Sequence, residues 1–532
     1  MCRTATLAPV AQEEKVNVQT AVVALASASL AMSVDPSVHN IAFVGAANHL
    51  GMSGSQRSLV ASVGTLCIAA TILATGSLGD RLGRKKIMQA GLLLAVLAGV
   101  VTSLAPNTSV FTLGRVLAGI GYAASFGLSF ALLRTIAPDD EQLSRAVAKW
   151  LALQTFGVVG LGLLGGYLAG LGWRVAYLLP SAVAALAFLV CLRTVPEARA
   201  DKLGPFDAIG LLLIAVGLVC TLDGVSASAT AGWGSSRVLV PVAIGIAVLV
   251  AFALYEMRLD YPAFPIRLFR EREMSAAALS GIAFNIGNAV VVLQLSLLWQ
   301  YLYRYSPFEV SLGLMPLSLA SIFGASLVGS LLARGTQNRA LISAGLLGIA
   351  AATACMSFAR HSTPYFFFVV PLMVAGIALM FAQTPAARIF VSQSPPDLVG
   401  AVGSSRTFFG QFGFALGLAL SSSILYGLFD PELHMKLVLA GAAPGDLSQV
   451  TGIIQSYVSV GNAKGFNPQL ANLVLQKAAG SYVSSYRNMM LVMAAVIASV
   501  GVITLWLLPA RRPQTAPETE KLAEELETVC GK

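Results

Sequence analysis

Fourteen apolar runs divide this chain, each close to the roughly 20 residues that cross a bilayer core, and they limit the fold before any single residue is weighed. They fall at 19–44, 58–78, 87–105, 110–134, 148–170, 173–193, 207–226, 237–257, 274–302, 310–333, 340–358, 364–389, 402–428 and 488–508, with charged or turn residues between them. Only 11% of the 532 residues are charged and 56% are apolar, far from the roughly 25% charge of an ordinary soluble domain. The chain reads as an all-α integral membrane protein. Its 50 glycines suit helices whose backbones approach closely in lipid.

Charge orients the runs. The turn Gly76-Ser77-Leu78-Gly79-Asp80-Arg81-Leu82-Gly83-Arg84-Lys85-Lys86 carries four basic side chains against one acid and cannot lie in lipid. The positive-inside tendency puts it on the cytoplasmic side. Alternating the remaining loops then places Arg134, Arg145, Arg193, Arg267, Arg334 and Arg388 inside, and leaves only Arg57, Arg174, Arg237, Arg304 and Arg360 at the outer turns. An error of one helix would invert that asymmetry. Both termini are expected in the cytoplasm of a multi-pass inner (plasma) membrane protein. Met1 to Val18 show no cleavable signal peptide. The net charge of +9 lies in loops rather than on one helical face, so it marks topology and not nucleic-acid binding.

The expected organisation is a cytoplasmic tail (1–18), a six-helix bundle (19–193), two inserted helices (207–257), a second six-helix bundle (274–508) and a cytoplasmic tail (509–532). The second bundle includes a long outer loop, 429–487. Asn467 as an N-cap and Pro468 at the first helical position predict one or two short helices in that loop. The six cysteines and four histidines form no metal or disulfide spacing, and no phosphate-binding loop is present. Neither an enzyme nor a cofactor is expected.

Asp35 lies about fifteen residues into the first run, where a carboxylate is expensive unless paired or protonated. It either exchanges a proton or touches substrate, or it makes a static bond to a neighbouring helix. Pro36 removes a backbone hydrogen bond and can open the helix there. His39, one turn on, either shares a proton with Asp35 or sits near the outer headgroups. Arg115, roughly 8 Å from the outer end of the fourth run, needs an acid, a carbonyl or water, or else snorkels outward. The amides Gln154, Asn285, Asn288, Gln294, Gln383 and Gln411, with Phe408, either wall a cavity for an amphipathic organic molecule or bond helix to helix. In the charged turn, Gly76, Gly79 and Gly83 let helix ends approach. Asp80, flanked by Arg81 and Arg84, can bond a helix N-terminus or an Arg of the other bundle and hold the inner side shut. A partial echo at Gly329 to Arg334 lacks the acid.

These motifs resemble the major facilitator superfamily, and the fourteen-span drug:proton antiporter subfamily in particular. Gly76 to Lys86 resembles the superfamily signature, Arg115 to Gly121 the subfamily's Arg-x-x-x-Gly-x-Gly pattern, and Asp35 to Ala42 its Asp-x-Thr-x-x-Asn-x-Ala pattern. The fifth run keeps the antiporter glycines Gly157, Gly160, Gly162, Gly165 and Gly166 but not the usual proline. The resemblance implies alternating-access export of amphipathic or cationic compounds, driven by protons, by a functional monomer. It also gives Arg115 the role of tuning a carboxylate's proton affinity. Dedicated export of one endogenous lipid, siderophore or antibiotic stands as the alternative, with proton symport and a non-transporting sensor further off.

Overall fold

The computed structural model describes residues 18–137, 140–199, 207–259, 264–393, 399–442, 449–450, 452–454 and 467–508. The expected tails at 1–17 and 509–532, and much of the outer loop, lie outside the described residues. The first helices are α1 (Val18–His49), α2 (Gly54–Leu82), α3 (Arg84–Ser103), α4 (Thr108–Ile136), α5 (Asp140–Leu171) and α6 (Trp173–Thr194). Next come α7 (Ala208–Ala231) and α8 (Ser236–Glu256), then a 3₁₀ turn, Ile266–Arg270. The chain continues through α9 (Arg272–Tyr301), α10 (Pro307–Gly313), α11 (Met315–Ala333), α12 (Asn338–Met356), α13 (Phe366–Ser392), α14 (Val399–Leu439) and α15 (Pro468–Leu507). Among the described residues, fourteen stretches are long and apolar enough to span a membrane, α10 and α11 together forming one of them.

Helix starts follow from local chemistry. Ser53, Asn107 and Ser306 accept backbone N–H bonds at the beginnings of α2, α4 and α10. Gln56 and Glu309 return the bond to Ser53 and Ser306 in full capping boxes. All three caps lie at the end of the molecule opposite the charged turn, here called the far end.

Helices α1 to α6 pack on one another, as do α9 to α15. The inserted pair joins the two groups, with α7 lying against both α2 and α14. The α2–α4 crossing is close because a Cβ on Gly119 would come within 2.4 Å of the Gly64 carbonyl oxygen. Larger side chains there would separate the helices.

Two expectations need correction. Pro36 does not open α1, which runs through it from Val18 to His49. The outer loop is also shorter than read, because α14 continues to Leu439 and α15 begins at Pro468. Asn467 and Pro468 do start a helix, with Asn467 Oδ1 accepting from Gln469 N at 2.9 Å. That helix is the last span itself, 40 residues long, or about 60 Å, twice a bilayer core. The sequence boundary failed because apolar content ends at the lipid, whereas backbone hydrogen bonding does not. At the far end the two long helices meet in a small core that includes Leu433, Leu437, Leu470 and Val474.

Candidate functional site

Asp35 on α1 and Arg115 on α4 meet in the interior of the first helix group. Arg115 Nη1 donates to Asp35 Oδ1 at 2.7 Å and Nη2 to Oδ2 at 2.6 Å, with both residues only 4% exposed. A two-pronged guanidinium–carboxylate pair is the strongest form of such a contact. The geometry needs Gly64 on α2, where a Cβ would fall 2.9 Å from Arg115 Nη2. Tyr177 on α6 closes another side, its ring centroid 5.6 Å from the guanidinium carbon. Its hydroxyl lies 2.7 Å from His39 Nδ1, so a polar line runs from Asp35 through Arg115 and Tyr177 to His39, one turn nearer the far end. Tyr122, also fully buried, faces the same carboxylate.

Of the expected site residues, the structure therefore brings Asp35, His39 and Arg115 together. Tyr177, Tyr122 and Gly64 escaped sequence reasoning. Tyr177 had one weak signal, its place one turn after Trp173-Arg174.

The amides divide. Gln154 is buried and donates to Ala26 O at 2.8 Å and to Ser29 Oγ, tying α5 to α1. Gln294 is buried and donates to Ser421 Oγ at 2.9 Å, tying α9 to α14. Both bond helix to helix in this arrangement. Asn285, Asn288, Gln383 and Gln411 are half-buried, and Asn285 bonds back to Gly281 O on its own helix. Phe408 is packed against Phe264, Phe409 and Phe412. It thus anchors the segment after α8 onto α14, a neighbour its spacing on α14 could not reveal.

The α5 glycines are contact points. Cβ atoms at Gly157 and Gly165 would press on Leu30 and Val38 of α1, and one at Gly166 would strike Ser311 Oγ and approach Pro307 O across the two groups. Gly160 and Gly162 meet nothing closer than ordinary contact.

The charged turn is braced within its own group. Asp80 Oδ1 accepts from Arg84 Nε at 2.8 Å, with the two side chains 41% and 24% exposed. Gly83 adopts φ +118°, a conformation that favours glycine, and lies against the Glu197 carboxylate. Glu197 in turn accepts from Lys85 N at 3.0 Å. Gly79 abuts Leu128 of α4, while Gly76 faces Ser404 of α14 at ordinary contact. Asp80 is thus bonded inside its own turn, where the sequence reading had allowed a partner on the opposite bundle. In the echo, Gly329 has open space around it.

The far end is laced across the groups. Arg57, buried near the start of α2, donates to Met52 O at 2.9 Å, to Asn48 Oδ1 at 3.1 Å and to the Tyr301 hydroxyl at the end of α9. Gln300 Nε2 donates to Ile41 O at 3.2 Å. Ser58 Oγ lies 3.0 Å from Ser423 Oγ and 3.2 Å from Ala419 O of α14. By sequence, Arg57 had counted only as an outer-turn charge. Among the described residues no group of three or more His, Cys, Asp or Glu is placed to hold a metal ion.

The family model of the Major Facilitator Superfamily matches residues 23–418. The chain is 30% identical to the puromycin resistance protein of Streptomyces alboniger, over 76% of this chain and 81% of that one. It is 26% identical to the methylenomycin A resistance protein of Streptomyces coelicolor, over 77% and 86% of the two chains. Against a multidrug resistance protein B homolog of Mycobacterium tuberculosis, identity is 27% over 72% of each. In three dimensions the fold is similar to that of a bacterial homolog of the human lysosomal transporter Spinster, with a TM-score of 0.64, 14% identity, and 91% and 95% of the two chains covered.

Proposed function

The chain belongs to the major facilitator superfamily, and on that premise we propose that it is a multidrug-type efflux transporter coupled to protons. It acts as a monomer in the plasma membrane, with the charged turn and both termini in the cytoplasm and the far end outside. Its cargo is a small amphipathic organic compound, in keeping with the resistance proteins it is similar to. No cofactor takes part; the proton gradient supplies the energy.

The observation that carries this reading is the buried Asp35–Arg115 pair. A charged pair sealed from water persists only while both partners stay ionised. Protonating Asp35 would cancel one charge, leave Arg115 without its counter-ion and loosen α1 from α4. The cost of that step makes the two helices sensitive to a single proton. In the arrangement seen here the pair is intact and the far end is laced shut. A proton arriving from outside along His39 and Tyr177 would weaken the pair as the far end opens and cargo leaves. Its release to the cytoplasm would restore the pair and reset the cleft.

Purified protein in vesicles with an imposed pH gradient tests this directly. Wild type should export amphipathic compounds only when a proton gradient directed toward the cytoplasmic side is imposed, and Asp35→Asn should not. Equal transport by both proteins would remove Asp35 from coupling. The second reading, dedicated export of a single compound made by the cell, has support in relatives whose names give one antibiotic each. A panel of chemically unrelated compounds decides between the two, since a dedicated exporter moves one of them.

A further inference from the structure

We propose that Arg406 of α14 is the centre of a binding site at the charged-turn end, which takes the anionic group of an amphipathic molecule. The site rests on the reading of the chain as an exporter, which puts that end in the cytoplasm, where cargo loads. Arg406 stands about 10 Å along α14 from Val399. It comes two residues after Ser404, whose hydroxyl oxygen a Cβ on Gly76 of the charged turn would meet at 3.8 Å. A guanidinium in an apolar run stays charged and needs an acid, a carbonyl, a headgroup or water. Among the described residues neither an acid nor a carbonyl meets it: no hydrogen bond or ion pair holds Arg406, and no acid stands beside it. Arg57 and Arg115, the two arginines buried in the first helix group, both have their partners.

The surroundings of Arg406 are not those of a side chain on the lipid face. Helix α14 packs against α2, α7, α9 and α15, so members of both helix groups stand around it. Protein encircles Arg406, yet the residue is exposed. A charged group walled by protein and still open lines a space inside the molecule. Gly403, one turn nearer the helix start on the same face, likewise has open space around it. On the other side, Phe409 and Gly410 continue the face from Arg406 and lie against α9. A Cβ on Gly281 would come 3.9 Å from Phe409 Cβ, and one on Gly410 would come 3.3 Å from Asn285 Nδ2.

The charges of the second helix group select the ligand. Glu273 accepts from Gln393 Nε2 at 2.9 Å, Glu309 accepts from the Ser306 cap, and Asp430 and Glu432 lie at the far end. Asp397 lies outside the described residues. An organic cation beside Arg406 would meet a like charge, whereas a carboxylate would meet a fork of donors matched to its two oxygens. Asn285, one turn along, donates one N–H to Gly281 O at 2.8 Å and has a second for the same ligand. The apolar part of the molecule then extends along the face toward Phe409. A free amphipathic acid and an anionic lipid headgroup share this chemistry.

The test uses Gly403→Cys, in a background with the six native cysteines changed to alanine. Inside-out phosphatidylcholine vesicles are labelled with an impermeant maleimide in the presence of 1-naphthoate or of naphthyltrimethylammonium. Naphthoate should protect the cysteine and the cation should not. Arg406→Gln should raise the naphthoate concentration needed by about tenfold or more, and Arg406→Lys, which keeps the charge without the fork, by less. Arg388→Gln, which removes another exposed basic residue near the same end of α13, should leave protection unchanged. The chain with its native cysteines gives a second readout, a rise in Tm with naphthoate that Arg406→Gln removes. With phosphatidylglycerol in the vesicles, protection before naphthoate is added would make a lipid headgroup the occupant; protection by naphthoate alone would make it a free acid. No protection and no Tm rise, equal effects of the cation, full effects in Arg406→Gln, or an equal loss in Arg388→Gln would each overturn the site. None of these readouts depends on a pH gradient or on Asp35, so they can fail while proton-driven export stands, and the reverse.

Discussion

The two ends of the cleft are built by opposite means. At the far end, Arg57, Gln300 and Ser58 bond from one helix group to the other. At the charged turn, Asp80, Gly83 and Lys85 bond within the first group, to Arg84 and Glu197. The far end carries buried donors whose loss leaves partners unsatisfied. The turn carries a half-exposed pair that water can replace at little cost. In the basic cluster most visible in the sequence, Asp80, Gly83 and Lys85 thus brace their own group, while Arg57, Gln300 and Ser58 reach across at the far end. A charge tucked under a helix start, as Arg57 is, reaches the other group where a conspicuous loop charge such as Arg84 pairs with its own turn.

The largest effect is expected between the two ends, at the pair that both depend on. Asp35→Asn should lower stability by about 3–5 kcal/mol, the usual consequence of removing one partner of a buried pair. A double variant with Arg115→Gln should regain most of that without regaining coupled export. Thermal unfolding of the three variants in detergent reads the first part; a double variant no more stable than Asp35→Asn would mean that the pair is not a closed unit.

Next comes the far-end clasp. Tyr301→Phe removes the hydroxyl that accepts from Arg57 and should cost about 1.5–3 kcal/mol of seam stability, as for a bond to a charged group. A cysteine at Ser58, fully buried behind the clasp, should then react with external maleimide roughly tenfold faster or more. An unchanged rate would show that the clasp does not hold this end. Gly64→Ala should follow, at about 1–3 kcal/mol for overpacking, with efflux reduced because the new methyl group displaces the Arg115 fork. Asp80→Asn should move thermal stability least, by about 0.2–1 kcal/mol, while slowing turnover if the turn rebonds to the other group elsewhere in the cycle. A stability loss as large as that of Tyr301→Phe would erase the contrast between the ends.

Much of the fold was legible in the sequence, because one physical requirement dominates it. A helix crossing lipid must be apolar for about 20 residues, and that signal fixed the number and order of the spans. It gave no information where helices leave the lipid, which is why α15 was read from 488 and not from Pro468. The site was legible in part. Asp35, His39 and Arg115 stood out because charge is costly in an apolar run, but Tyr177 and Tyr122 are ordinary in such runs. Gln154 and Gln294 could not be sorted by spacing, since an amide toward a cavity and an amide toward a neighbouring helix obey the same periodicity.

By itself, then, the sequence determined that this is a fourteen-span helical protein of known ancestry with buried ionisable groups, since both follow from local hydrophobicity and motif. Only the tertiary structure decided which groups those charges meet. It set Asp35 on Arg115 and Arg57 on Tyr301, because partners distant in sequence are chosen by how helices cross. Backbone approach at glycines such as Gly64 and Gly119 sets that crossing, and a glycine's neighbour is not written beside it in the chain.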